Sequence, residues 1–168
     1  DNYNSAMSTL PIINSNIIIT KIEVWRTNIG SAVTNNRNLV AFADLGESKP
    51  YGQNPMIEFP GVSNLPDQYL SNQLLHIVDV NAIRDINSVS PYLQAMGFVS
   101  GQNYEKIESA RKLSSSEFTF NPKLGFISLN QALAADQVLA VAFRYQIVGD
   151  TTLYQVGEFS DEGIADPN

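Results

Sequence analysis

VLAVAFRYQIV, residues 138–148, alternates between two kinds of side chain with a period of two. One side carries large apolar residues: Leu139, Val141, Phe143, Tyr145 and Ile147. The other side carries Ala140, Ala142, Arg144 and Gln146. Because successive side chains of a strand point to opposite faces, this pattern predicts a β-strand with the Leu139 side buried and the Arg144 side only partly wet.

The segment that follows this strand predicts a hairpin. GDTT, residues 149–152, contains a glycine and an aspartate, and it leads into a second apolar run at 153–159. A connection of this length joins antiparallel strands. Further strands are predicted at 17–27, 39–45, 106–113, 117–120 and 124–129.

The first of these strands also alternates. We expect one side to carry Ile18, Thr20, Ile22 and Val24, and the other to carry Ile19, Lys21, Glu23 and Trp25. The pattern is typical of a half-buried strand, with Lys21 and Glu23 as surface charges.

The middle of the chain changes character. Proline and glycine are dense between residues 46 and 66, which predicts an extended loop. Asn64 before Pro66 is typical of a helix start, and Ser90-Pro91 followed by Gly97 brackets a second short helix. These signals predict a small helical insertion around 65–97.

Together the segments favour an α+β fold that is β-rich and built on an antiparallel sheet or sandwich. We expect a polar arm or linker at 1–16, one domain at 17–160 that contains a loop and helical insertion at 46–103, and an acidic tail at 161–168.

The composition of the chain disfavours several classes of partner and site. The net charge of -7 and the pI near 4.5 disfavour nucleic acid as a partner. The chain has no cysteine, so thiolate metal sites and cysteine nucleophiles are excluded. No apolar run approaches the length of about 20 residues that a membrane-spanning helix needs. Because the chain begins at Asp1 without an initiator Met, we expect it to be a piece of a longer protein.

Several long blocks of this chain resemble one family. They are TKIEVWRTN at 20–28, TNNRNLVAFADLGE at 34–47, YEKIESARKL at 104–113, FTFNPKLGFISLNQAL at 118–133, DQVLAVAFRY at 136–145 and YQVGEFS at 154–160. In these blocks the chain is similar to the SprA/Sov family, the outer-membrane translocon of the type IX secretion system. The likeness covers most of residues 17–160 and is weakest from 49 to 103.

The resemblance implies a role in the cell envelope of Bacteroidetes-type bacteria, where SprA-like proteins conduct folded cargo across the outer membrane and support gliding motility. Lys21, Glu23, Glu108 and Arg144 would be costly facing lipid. We therefore expect a folded insert outside the bilayer, on its periplasmic or external side. Its expected partners are other segments of the translocon, lipoprotein or plug subunits, or secreted cargo.

Recognition and scaffolding, without catalysis or cofactor, is the function we predict. Arg144 with the small Ala140 and Ala142 would allow a partner to approach closely, and Trp25 would add an aromatic contact. These four residues are the predicted partner-binding residues.

A carbohydrate-binding or adhesin module is the alternative, with Trp25, Tyr145 and Tyr154 as an aromatic platform for a sugar. Packing is the commoner role of aromatic residues on strands.

Catalytic and metal sites receive little support from the sequence. His76 is the only histidine, so a metal site there would need carboxylates alone, and a hydrolase would need it as base. The segment at 61–65, GVSNL, lacks the final glycine of a nucleophile elbow. Asp161, Glu162 and Asp166 could bind calcium, but a solvated acidic tail explains them. Glu23 and Glu158 could form a glycosidase-like pair, but surface charges on strands are the commoner explanation. Asn130 and Asp136 are predicted to stabilise their turn.

Overall fold

The structure is a computed structural model that describes residues 2–8, 10, 12–30, 36–43, 74 and 78–162. The strands of this part are β1 (Ile17–Arg26), β2 (Asn36–Phe42), β3 (Tyr104–Lys112), β4 (Phe118–Asn121), β5 (Phe126–Leu129), β6 (Leu139–Ile147) and β7 (Leu153–Val156). The helices are α1 (Asn2–Met7), α2 (Val80–Arg84) and α3 (Val89–Ala95).

Five strands form one sheet in the order β2-β3-β1-β6-β7, and β4 pairs with β5 in a separate hairpin. Every pairing between these strands is antiparallel. The first strand therefore lies at the centre, with the carboxyl-terminal strands on one side of it. This confirms the β-rich α+β expectation in its antiparallel form, while the described strands do not establish a two-sheet sandwich.

A β-bulge in β1 changes which side chains share a face. Ile19 pairs with Tyr145, but the next pair is Lys21 with Arg144, so the register shifts at Thr20. The predicted alternation is therefore wrong before the bulge, because an extra residue moves the preceding side chains to the other face. One face, the apolar face, carries Ile17, Ile19, Ile22 and Val24. The opposite face carries Ile18, Lys21, Glu23 and Trp25.

The two faces of β6 differ from expectation as well. Val141, on the apolar face, is 36% exposed, whereas Ala142 on the opposite face is only 7% exposed. The prediction that the Leu139 side is the buried one is thus wrong at the middle of the strand. The reason is that another part of the chain covers Ala142, as described below.

The predicted helical insertion is confirmed within the described residues by α2 and α3. Asp79 caps α2 by accepting a hydrogen bond from the backbone N–H of Asn81 at 2.9 Å. Gly97 follows α3 with a φ of 91°, the left-handed conformation that commonly ends helices. None of the described helices has the length and apolar character needed to cross a membrane. The predicted loop at 46–66 lies outside the described residues.

The two helices bury one end of the sheet. A core cluster joins them to β2 and β3, and its buried members are Leu74, Val78, Val89, Leu93, Phe98 and Tyr104. A smaller cluster on the other side of the sheet contains Trp25, Ile107 and Ala110. The described core is thus divided between two faces of one sheet.

Several boundaries move relative to the sequence prediction. The last strand was predicted at 153–159, but β7 ends at Val156. β2 begins at Asn36, three residues before the predicted start, and the Asn38 side chain accepts a hydrogen bond from the bulged Ser109 N–H at 2.9 Å. Ser109 has a φ of 55°. In the predicted arm, Asn2–Met7 is helical, and the Asn16 carbonyl accepts a hydrogen bond from Val148.

Replacing Leu93 with alanine should lower the free energy of unfolding by about 2–5 kcal/mol, because a fully buried leucine leaves a cavity in a packed core. Val99, which is 48% exposed, provides the control, and V99A should change the value by less than about 0.5 kcal/mol. Urea unfolding of both variants measures this. Equal losses would contradict the assignment of Leu93 to the core.

Candidate functional site

Residues 157–162 fold back over the sheet after β7, and we call this segment the strap. The turn into it depends on Gly157, whose φ of 76° suits glycine far better than other residues. The Gln155 side chain donates a hydrogen bond to the Gly157 carbonyl at 3.0 Å. The strap then lies on the face of β1 and β6 opposite the apolar face, and we call that surface the docked face. It is formed by Lys21, Glu23, Trp25, Lys112, Ala140, Ala142 and Arg144.

The strap approaches β6 closely at Ala142. A Cβ atom added to Gly157 would lie 3.1 Å from the Cβ of Ala142, which is tighter than ordinary van der Waals contact. Small side chains on both sides of this contact are therefore what allow the strap to lie against the sheet. This contact accounts for the burial of Ala142.

Glu23 is buried at the centre of the docked face, with 3% of its surface exposed. Its carboxylate accepts four hydrogen bonds. Two come from the Ser160 N–H at 3.1 Å and the Ser160 hydroxyl at 2.9 Å. The others come from the Trp25 indole N–H at 3.2 Å and from the Lys112 ammonium. The expectation that Glu23 is a surface charge is wrong, because the strap covers it.

These donors determine the charge of Glu23. Burial by itself raises the pKa of the carboxyl, but hydrogen bonds from Lys112, Ser160 and Trp25 outweigh it and lower the pKa below the ordinary glutamate value. The group is therefore held as a carboxylate. An ionised acid in a buried position requires its donors to remain in place.

Phe159 supplies the aromatic contact of the strap. Its side chain is buried, with 3% exposed, and two cations approach its ring. The Lys21 ammonium lies 4.2 Å from the ring centroid, and the Arg144 guanidinium lies 5.3 Å from it. Both distances are within the range of a cation–π interaction.

Two of the three acidic residues of the strap, Asp161 and Glu162, pair with the same cations. Lys21 contacts Asp161 at 2.6 Å and Glu162 at 3.3 Å, and Arg144 contacts Glu162 at 2.6 Å. The hydrogen bond to Asp161 is the main cause that raises the pKa of Lys21, and Lys21 in turn lowers the pKa of Asp161. The predicted acidic tail is therefore bound to the sheet at its first two residues, and 163–168 lie outside the described residues.

The structure brings all four predicted partner-binding residues onto the docked face. Trp25 pairs across the strands with Ala140, and Ala142 pairs with Glu23 in the next position on that face. Arg144 donates hydrogen bonds to Gln155 and Glu162. The close approach expected here is made at Ala142 by the chain's own strap, whereas Ala140 packs against the cluster of Trp25, Ile107 and Ala110. Binding of another protein there stays a prediction.

The aromatic platform for a sugar does not form. Trp25 is only 7% exposed and lies on the docked face, whereas Tyr145 and Tyr154 stack on each other on the apolar face, with ring centroids 5.2 Å apart. Core packing of Trp25 was the commoner expectation, and its cluster with Ile107 and Ala110 confirms it.

The other candidate residues are placed as follows. His76, the segment 61–65 and Asp166 lie outside the described residues. Glu158 is 43% exposed and pairs with Arg84, while Glu23 is buried and pairs with Lys112. Asn130 donates a hydrogen bond to the Ser116 carbonyl at 2.7 Å, a structural role in its turn, and Asp136 lies in the turn at 135–136. Within the part of the chain that the structure describes, no three acidic or histidine side chains converge as metal ligands.

A cleft of about 490 Å³ opens beside the docked face. Its walls reach the strap at Ser160 and the sheet at Trp25 and Lys112. The remaining lining residues are Asn36, Arg37, Leu113 and Ser114. The cleft thus gives access from solvent to the Lys112 end of the buried cluster.

A second charged contact fixes the turn after β3. Both guanidinium nitrogens of Arg111 donate to the Glu117 carboxylate, at 2.9 and 2.6 Å. The Ser114 N–H donates to it as well, at 2.9 Å. These bonds, from Arg111 above all, lower the pKa of Glu117 to about 2.

Sequence reasoning missed Phe159, Ser160 and Lys112 as members of one site. Their contact depends on the strap crossing from the edge of the sheet to its centre, and residues 112 and 160 approach Glu23 from distant parts of the chain. One signal was present: the short side chains of Ala140 and Ala142 leave room above β6 for another segment.

Comparison with known proteins adds no assignment. No protein-family model matches the chain, and no curated protein matches it. The resemblance to SprA/Sov therefore stays a prediction.

Replacing Gly157 with alanine should destabilise the chain by more than the same change at Gly101. Both glycines have nearly the same positive φ, 76° and 78°, and each alanine should cost about 1 kcal/mol or more for the backbone. Only at Gly157 would the new Cβ meet the sheet, because nothing lies within 4 Å of a Cβ at Gly101.

Hydrogen exchange separates the two effects. The Ser160 N–H, which donates to Glu23, should exchange faster in G157A and unchanged in G101A. Equal exchange in both variants would show that the strap does not depend on the contact with Ala142.

Acid should weaken the Arg111–Glu117 contact in a defined window. The folded-state pKa of about 2 lies below the ordinary value of 4.5, so the pair contributes stability above pH 4.5 that is lost as the pH falls toward 2. At pH 7 E117Q should be less stable than the parent chain by about 1 kcal/mol. That gap should close between pH 4.5 and 2 in urea unfolding.

Glu108 offers a matched control, since its side chain is 64% exposed in its pair with Lys106. E108Q should leave the free energy of unfolding nearly unchanged at pH 7, as expected of an exposed ion pair. An E117Q gap that stays constant down to pH 2 would rule out the Arg111 contact as its origin.

Proposed function

We propose that this chain is a non-catalytic recognition and scaffolding domain of a SprA-like outer-membrane protein, serving type IX secretion and gliding motility. The blocks of sequence that resemble this family meet at one place in the fold. Lys21 and Glu23 come from the block at 20–28, Ala142 and Arg144 from the block at 136–145, and the start of the strap from the block at 154–160. Because residues from several of these blocks meet on the docked face, we infer that this face carries the recognition function.

The docking of the strap is the observation that carries the proposal. An aromatic ring lies against two cations, and a serine next to it donates twice to a buried carboxylate. These are the features by which protein surfaces recognise segments of chain: a buried aromatic anchor surrounded by complementary charge. A surface that already holds one segment in this way is suited to recognition.

The electrostatics of the docked face support binding over catalysis. The pKa of Glu23, Asp161 and Glu162 is lowered and that of Lys21 is raised, so each group is held in its charged form at neutral pH. A general acid or base needs the opposite shift, toward neutrality. Charges fixed in this way are suited to electrostatic complementarity.

We place the domain in the cell envelope, associated with the outer membrane, on its periplasmic or external side. The partners we infer are other segments of the translocon, its lipoprotein or plug subunits, or secreted cargo. These inferences rest on the resemblance. The carbohydrate-binding alternative has less support because the Trp25 ring is buried, and a glycan array would reveal such binding directly.

Removing residues 17–160 from the parent protein should reduce both cargo secretion and colony spreading. A sharper change is the double variant K21A/R144A, which removes the two cations that contact the Phe159 ring and the acidic end of the strap. Its matched control is K106A/K123A, which removes the same charge elsewhere on the strands and turns. Secreted cargo and spreading are measured at equal amounts of parent protein in the outer membrane.

We expect K21A/R144A to lower both readouts and the control to lower neither. Normal secretion and spreading after removal of 17–160 would contradict the proposed function.

A further inference from the structure

The geometry points to the docked face as a binding site for a peptide segment in which an aromatic residue is followed by a serine and two acidic residues. In the structure the strap, with Phe159, Ser160, Asp161 and Glu162, fills this site in cis. The same site takes an equivalent segment of a partner protein when the strap is displaced. The inference rests on the proposed recognition function and names the chemistry of its partner.

The aromatic position is specified by the two cations above and beside it. The Phe159 ring is desolvated by the sheet and faces the Lys21 ammonium and the Arg144 guanidinium. An aliphatic side chain could fill the volume, but it has no π-electron face to attract the cations. The site therefore selects Phe, Tyr or Trp at this position.

The next position is specified by Glu23. Its carboxylate accepts from both the backbone N–H and the hydroxyl of Ser160, and Lys112 donates to the same hydroxyl at 3.1 Å. A residue without a hydroxyl would leave the buried Glu23 carboxylate short of a donor, which is unfavourable, and it would also remove an acceptor from the exposed Lys112 ammonium. Serine or threonine is therefore selected here.

Charge complementarity specifies the acidic positions. Without the strap, the docked face carries the cations of Lys21, Lys112 and Arg144 against the single carboxylate of Glu23. The whole chain has a net charge of -7, so this face is a local exception. An acidic segment is attracted to it, and Asp161 and Glu162 provide that charge in cis.

A partner segment can replace the strap because the two ends of the strap differ in burial. Phe159 is buried, but the side chains of Asp161 and Glu162 are 61% and 36% exposed. Exposed ion pairs add little to stability, so the end of the strap separates from the sheet more easily than the ring does. The cleft beside Ser160 gives an incoming chain a path to Lys112.

The test uses the full chain and a labelled peptide, VGEFSDE, with the sequence of residues 156–162. A tethered segment acts at an effective concentration on the order of 1 mM, so for an intrinsic peptide Kd of about 0.1 mM the strap should weaken peptide binding to the parent chain by roughly tenfold. F159A removes the anchor of the strap and should bind VGEFSDE roughly tenfold more tightly than the parent. F126A, which alters a 43% exposed phenylalanine in β5, is the matched control and should bind as the parent does.

Peptide variants test the predicted chemistry. VGEASDE, without the aromatic ring, and VGEFADE, without the hydroxyl, should both lose binding to F159A. Raising the salt from about 0.05 to about 0.5 M should weaken VGEFSDE because the ion pairs are exposed and screened. The full chain with D161N/E162Q changes only exposed side chains, and it should bind VGEFSDE more tightly than the parent does even if F159A folds poorly.

Equal affinity of the parent, F159A and D161N/E162Q for VGEFSDE would overturn the inference, as would tight binding of VGEASDE. A dimer of the parent chain that VGEFSDE dissociates would place a second copy's strap in the site and overturn the cis assignment. Each of these results would contradict only the proposed peptide binding. The scaffolding function is tested separately by removal of residues 17–160.

Discussion

Four hydrogen bonds, one from a neighbour on its own strand and three from two distant parts of the chain, end on the two carboxylate oxygens of Glu23. Trp25 belongs to the same strand, Lys112 to β3, and Ser160 to the strap. A buried carboxylate left short of donors is strongly unfavourable, so any arrangement of these three elements has to satisfy it. Glu23 is buried while its partner Lys112 is 40% exposed, and we attribute to this pair a role in specifying where the strap lies more than in adding net stability.

The bulge at Thr20 makes this arrangement possible. A shift of one residue in strand register exchanges the faces of all the following side chains. With the shift at Thr20, Lys21, Glu23 and Trp25 face the strap while Ile22 and Val24 remain on the apolar face with Ile17 and Ile19. The sheet therefore has one apolar face and one face that mixes charge with small side chains. It is the second face that receives the strap.

Local patterns predicted the elements better than the site. Alternation located β1 and β6, and the proline and glycine signals located α3, because strand faces and helix ends are properties of neighbouring residues. The bulge escaped notice, although the two consecutive polar residues Thr20 and Lys21 interrupt the spacing of two between Ile19 and Ile22. The burial of Glu23 was unpredictable because its donors Lys112 and Ser160 are 89 and 137 residues away along the chain.

The composition of the strap explains why a segment of chain can be both bound and exchangeable. Burial of the Phe159 ring supplies a hydrophobic contribution of about 2 kcal/mol, comparable to one core side chain. The exposed ion pairs of Asp161 and Glu162 add little to stability, so they contribute more to selection than to affinity. Strand pairing with the sheet does not hold the strap in place, since β7 ends at Val156 before the strap begins. A segment held by one ring, one serine and a few exposed charges is therefore matched closely by any partner segment that carries the same groups.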